Sequence, residues 1–161
     1  MFDNEIITCN CLAERKEEIL MTETEFRFKH SELIMYYQLI EWRLKAICAT
    51  LLADEKTSWY DKLDDYEHDP FGKMLKEIKR LQAQNNIEVF TEEEFVTLDN
   101  MRKTRNYWVH QCFSGYSGPT FRRGDLSNNI YGTKISSDLM EAIEWDERIV
   151  EMTSTRIKDN K

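Results

Sequence analysis

Glycine and proline are scarce in this chain of 161 residues, which holds five of the first and two of the second. Few glycines leave few places where the backbone turns easily at positive φ. Few prolines leave few breaks in a helical hydrogen-bond ladder. Both shortages exclude a fold of many tight hairpins and favour long, uninterrupted helices. Long apolar runs are missing too: no stretch approaches the roughly 20 residues of a membrane span. The opening residues, with Phe2, Asp3 and Glu5, lack a basic segment followed by an apolar one, so no secretory signal peptide is expected. Of four cysteines, Cys9 and Cys11 stand one residue apart, and Cys48 and Cys112 complete no zinc-site spacing. They read as reduced thiols of a cytoplasmic protein. No ligand cluster calls for a metal, and no cofactor is expected. An excess of positive charge is absent as well: 22 basic residues face 30 acidic ones, for a net charge of −8. That excludes generic adhesion to nucleic acid or to an anionic membrane. Any nucleic-acid contact has to come from a local basic patch.

What is present is the balance of a soluble globular protein, 41% hydrophobic and 32% charged. The length predicts a single domain over residues 1–161. Residues 23–53 are predicted as one long helix, since Phe26, Leu33, Tyr37, Ile40, Leu44, Ile47 and Leu51 recur at helical period. Thr22 followed three residues later by Glu25 forms a capping box at its start. A helical piece over about residues 12–21 precedes it. Residues 54–67 read as a short helix or a loop with embedded aromatics. Asp69-Pro70 predicts a helix start with Asp69 as N-cap and Pro70 at the first helical position, running through Phe71, Met74, Leu75, Ile78 and Leu81 to about Asn85. Thr91 and Glu94 form a second capping box, opening a helix from Glu92 to about Gln111. Residues 114–134 hold four of the five glycines and are expected to form a loop or small hairpin. Ser136 or Ser137 is expected to cap a last helix through Leu139, Ile143, Ile149, Val150 and Ile157. The fold class is therefore all-α, a bundle of four to five helices with a glycine-containing loop or small hairpin before the last one.

Chemistry concentrates in Arg105-Asn106-Tyr107-Trp108-Val109-His110. Arg is a permanent cation that grips two phosphate oxygens at once. His, with an unperturbed pKa of about 6.5, takes and gives protons near neutral pH. Only three histidines occur, His30, His68 and His110. His30 and His68 read as ordinary surface residues. Leu98, Met101, Arg105, Trp108 and Cys112 form one helical stripe, so Arg105 falls on a largely apolar seam where its charge needs a partner or a ligand. Glu32 and Glu41 on the long helix are the candidate partners, with Glu41 favoured to hold Arg105 or His110. His110 stands about 140° round an ideal helix from Arg105, so the two converge only if the helix end is distorted or if two copies meet. For His110 alone, capping of orphan carbonyls at the helix end is the competing reading. Arg102 and Lys103 add positive potential one turn earlier. Arg122 and Arg123 in the glycine-rich segment are candidate backbone contacts. Tyr107 and Trp108 either stack on a base or pack in the core. Lys73, Lys76, Lys79 and Arg80, interspersed with Glu77, read as a solvated face.

Arg105-Asn106-x-x-x-His110 resembles the Arg-x4-His motif of HEPN-domain ribonucleases, in which a polar residue commonly follows the Arg. A small all-helical domain, a long first helix and the motif late in a later helix are similar to that family's setting. The resemblance implies a metal-independent endoribonuclease of a toxin–antitoxin or antiviral-defence system. Arg105 and His110 would be catalytic, supported by Asn106 and Glu41, with Arg102, Lys103, Tyr107, Arg122 and Arg123 contacting RNA. It also implies a homodimer whose two motifs share one cleft, and a cognate antitoxin protein among the candidate partners, with no membrane partner. One position departs from the pattern. Toxins paired with a small nucleotidyltransferase often carry Tyr two residues after the His, where this chain has Cys112. The alternatives are a catalytically inactive interaction, antitoxin or adaptor protein, and a helical module for a nucleotide or small ligand.

Overall fold

The computed structural model describes residues 21–54, 56–111 and 130–157, which are all-α. Five helices follow in order: α1 (Glu23–Leu52), α2 (Trp59–Asp64), α3 (Phe71–Asn85), α4 (Glu92–Asn106) and α5 (Ile130–Arg156). A π-helical turn, Tyr107–Gln111, continues directly from α4. There is no strand among the described residues, and no helix among them is long and apolar enough to cross a membrane.

The predicted caps set the helix starts. Thr22 Oγ1 accepts from the Glu25 amide while the Glu25 carboxylate accepts from the Thr22 amide, and Thr91 with Glu94 repeats the arrangement at α4. Each box satisfies amides that would otherwise be orphaned, at about 1 kcal/mol. Asp69 does not cap α3. Pro70, with an extended ψ of 158°, is itself the N-cap, and the helix begins one residue later, at Phe71. The Asp69 carboxylate instead accepts from Lys73 Nζ at 2.8 Å. The far end of α3 stops at Asn86, which takes the left-handed conformation (φ 54°); Asn tolerates this region better than most residues. Residues 54–67 contain the short α2. Its Trp59 indole donates to Thr50 Oγ1 of α1 at 3.1 Å.

The largest correction concerns the last helix. It does not start at Ser136 or Ser137 but already includes Ile130. Ser136 sits inside it, donating to the Gly132 carbonyl and accepting from Lys29 Nζ of α1 at 2.7 Å. A serine that bonds the carbonyl four residues back needs no helix end to be satisfied. The segment read as a loop thus gives up Ile130–Lys134 to α5. Residues 112–129, including the other glycines, Arg122 and Arg123, lie outside the described residues, as do residues 12–20.

One core cluster joins α1, α3, α4, the π turn and α5. All seven stripe residues of α1 are buried, as are Phe71, Met74, Leu75, Ile78 and Leu81 of α3. Of the expected α5 core, Leu139, Ile149 and Ile157 are buried, but Val150 is 46% exposed. It lies one residue, about 100°, past Ile149 on the helix. Contacts along the helices give their directions. Lys29 meets Ser136 and, further on, Arg43 pairs with Asp146, so α1 and α5 run the same way. Glu41 faces Arg105 and His30 meets Trp108, so α4 and the π turn run against α1. A second apolar row on α1, Phe28, Met35, Leu39 and Trp42, is exposed. This row lies opposite the core stripe, because about 100° per residue places it half a turn away.

Candidate functional site

The predicted motif falls where α4 gives way to the π turn. In such a turn hydrogen bonds reach five residues along instead of four, so each residue advances by fewer degrees than in an α-helix. The offset of about 140° between Arg105 and His110 expected for an ideal helix is thereby narrowed. The helix end is distorted, which is one of the two conditions for convergence read from the sequence.

Trp108 anchors the turn. It is fully buried, packed against the Phe26 ring at 6.1 Å and the Tyr107 ring at 5.1 Å. Its indole N–H donates to Asp138 of α5 at 2.6 Å. Its carbonyl lies 2.9 Å from His30 Nε2 on α1. A carbonyl only accepts, so Nε2 carries the proton in this contact. His30 is therefore no ordinary surface residue: it is half-buried, stacks on Phe26 and holds a carbonyl of the π turn. The readable signal was the spacing of four between Phe26 and His30 at the edge of the core stripe; the group it meets is a backbone carbonyl, which side-chain spacing does not reveal. Lys134 completes the mount, donating to Asp138 at 2.8 Å with its ammonium 5.4 Å from the Tyr107 ring centre and 5.7 Å from that of Trp108. Core packing thus accounts for Trp108, while Tyr107 stays half-buried beneath Lys134. His68 is at the surface as expected, its side chain 92% exposed.

Arg105 and His110 are not consumed by this mount. Arg105 keeps a 30% exposed side chain and an ion pair to Glu41 Oε2 at 4.0 Å. Glu41 is the expected partner on the long helix, and it is shared with Lys45 at 3.4 Å. Arg105 Nη1 also donates to Asn106 Oδ1 at 3.4 Å. Both contacts are long for a guanidinium with five N–H donors. His110 is exposed and makes no hydrogen bond or ion pair among the described residues. Among the described residues the carbonyl-capping role is taken by His30 from another helix, not by His110.

The neighbouring cations are less available than the sequence implied. Arg102 Nε and Lys103 Nζ both bind the Asp99 carboxylate, at 2.8 and 2.9 Å. Those bonds, from Lys103 and then Arg102, outweigh desolvation and hold Asp99 below the usual carboxylate range. Cys48 is buried, and burial pushes its thiol up to about 12, so it is inert as a nucleophile at neutral pH. Cys9, Cys11 and Cys112 lie outside the described residues. No group of three His, Cys, Asp or Glu that could hold a metal ion occurs among the described residues. Comparison with protein-family models, with curated proteins and with solved structures finds no match for this chain.

Proposed function

We propose that the chain is a metal-independent endoribonuclease with an HEPN-like site, built on Arg105 and His110. The observation that carries the reading is the contrast within one turn. Trp108 and Tyr107 are locked down by α1 and α5, while the cation and the imidazole flanking them stay accessible. In the proposed reaction the RNA 2′-OH attacks the adjacent phosphorus and the bond to the 5′ oxygen breaks. His110 moves the proton between the two oxygens. Arg105 stabilises charge as it develops on the non-bridging oxygens, and Glu41 and Asn106 orient its guanidinium. The products are a 2′,3′-cyclic phosphate and a 5′-OH. The nucleophile comes from the RNA itself, so the step needs no metal-bound water. A homodimer places two copies of the motif in one cleft. A toxin–antitoxin or antiviral role in the cytoplasm, with a cognate antitoxin as partner, follows from the same resemblance.

One observation favours a second reading. The exposed row Phe28, Met35, Leu39 and Trp42 suits a non-catalytic interaction or adaptor protein. A single experiment separates the two. Purified protein is incubated with total RNA in excess chelator, beside His110→Ala, and the product ends are analysed. Cyclic-phosphate ends that appear only with the wild-type protein, and no cutting of a matching DNA strand, are expected. Activity that requires an added divalent metal, or equal cleavage of DNA, overturns the nuclease reading. Intact RNA in both samples leaves the interaction protein.

A further inference from the structure

Lys73, Lys76 and Lys79 do not simply form a solvated face. They line one side of an open groove of about 500 Å³ between α3 and α4, whose other side carries Phe95, Asp99 and Arg102. The groove lining carries four cations and one carboxylate in a chain of net charge −8, with Asp69 and Glu92 pairing two of those cations from its rim. Arg102 is paired with Asp99, but the three lysines are held only by surface contacts. Lys73 pairs with Asp69 and Lys79 with Glu92 through exposed contacts, the kind that exchange readily for a ligand. Lys76 is exposed and has no hydrogen bond or ion pair among the described residues. Arg102 lies against Gly72: a Cβ there would stand 2.9 Å from Arg102 Cδ, so a larger residue makes the Arg102 stem shift.

We infer that this groove is a binding track for the phosphodiester backbone of single-stranded RNA, leading to the Arg105–His110 turn. Order along α4 supports it. Phe95, Asp99 and Arg102 line the groove, and Arg105 follows Arg102 by one turn, so groove and candidate site lie in series. Repeated lysines along successive turns suit a ligand with repeated charge, and a positive groove that follows the backbone is how single strands are held without reading sequence. The inference deepens the nuclease reading and rests on it only for the destination of the strand.

The test is fluorescence anisotropy of the whole chain with a labelled oligodeoxythymidine, which has the same backbone charge and no 2′-OH to be cut, over a salt series. A parallel RNA-cleavage assay is run on the same proteins. Lys76→Glu with Lys79→Glu is expected to weaken binding at least tenfold with an unchanged melting temperature. The steepness of log K against log salt should fall by about 0.7 for each phosphate that the variant no longer neutralises. Gly72→Ala keeps every charge but displaces Arg102, and it should weaken binding severalfold. If the double charge reversal fails to fold, Lys76→Ala and Gly72→Ala carry the test. Affinity and slope within twofold of wild type in the folded variants overturn the track, as does competition by polyglutamate of matched charge as effective as unlabelled oligonucleotide. Groove-dependent binding without any RNA cleavage leaves the track standing and removes the nuclease. RNA cleavage that the groove variants do not alter removes the track and leaves the nuclease.

Discussion

Arg105 and His110 differ from their neighbours in how little of their bonding capacity the fold uses. Trp108, between them in sequence, has its N–H, its carbonyl and its ring faces engaged. Among the described residues Arg105 has only Glu41 at 4.0 Å and Asn106 at 3.4 Å. The contrast leads to a kinetic expectation. His110→Ala should lower the RNA cleavage rate by about 10²–10⁴-fold, the range of a missing proton-transfer catalyst. Arg105→Lys should lose most of the activity too, because an ammonium does not reproduce the planar fork. Both variants should melt within about 0.5 kcal/mol of wild type, since neither side chain is in the core. Single-turnover rates and thermal melts on the same preparations check this. Full activity in His110→Ala removes the mechanism, and unfolding of Arg105→Ala would make the pair with Glu41 structural. The motif was legible as spacing. The accessibility of its two ends was not, because it depends on His30, Lys134 and Asp138 arriving from two other helices.

At the scale of elements, α4 is fixed at both ends by different means. Its π end is held by Trp108. Its N-terminal end is held by Glu94, which is only 6% exposed. Besides closing the capping box, Glu94 accepts from Arg148 at 2.9 Å and from Arg156 at 2.7 Å, both on α5. Burial pushes the Glu94 carboxyl up, but bonds from Arg156 and the Thr91 amide, with the charges of Arg156 and Arg148, outweigh it and leave the group below its ordinary 4.5. The sign follows from linkage: a folded pKa below the unfolded one adds stability that is complete above about pH 4.5 and is lost as pH falls through the folded value. Glu94→Gln should therefore cost about 2 kcal/mol at neutral pH, because two arginines lose a charged acceptor. It should also flatten the acid limb of the stability curve, as denaturant titrations from neutral pH to about pH 3 will show. An unchanged acid limb would place the pH dependence elsewhere. The Thr91-x-x-Glu94 box was readable from its spacing. The two arginines were not, since Arg148 and Arg156 lie 54 and 62 residues away in sequence and only the opposite courses of α4 and α5 in the bundle deliver them.

For the whole molecule, the proposed nuclease reading makes assembly the decisive property. A two-fold axis passing near the π turn would supply each site with a second Arg105 and a second His110. Sedimentation at micromolar concentration should thus give twice the 19.3 kDa chain mass. Mixing Arg105→Ala with His110→Ala protein should restore partial cleavage by pairing the intact residues of each. A monomer, or mixtures without activity, would require one chain to hold the entire site. By itself the amino-acid sequence determined the helical class, both capping boxes, the core stripes of α1 and α3, and the shortlist of Arg105, His110 and Glu41. The shortlist came from residue chemistry and a motif resemblance; the rest are local, set by backbone hydrogen bonds and by side-chain periodicity within one helix. Only the tertiary structure decided that α5 starts by Ile130, that His30 caps a carbonyl of the π turn, that Arg102 and Lys103 share Asp99, and that three lysines of α3 face α4 across a groove. Each of those depends on which helix packs against which, and a pattern of helical period states that a face is buried or charged without naming what stands opposite it.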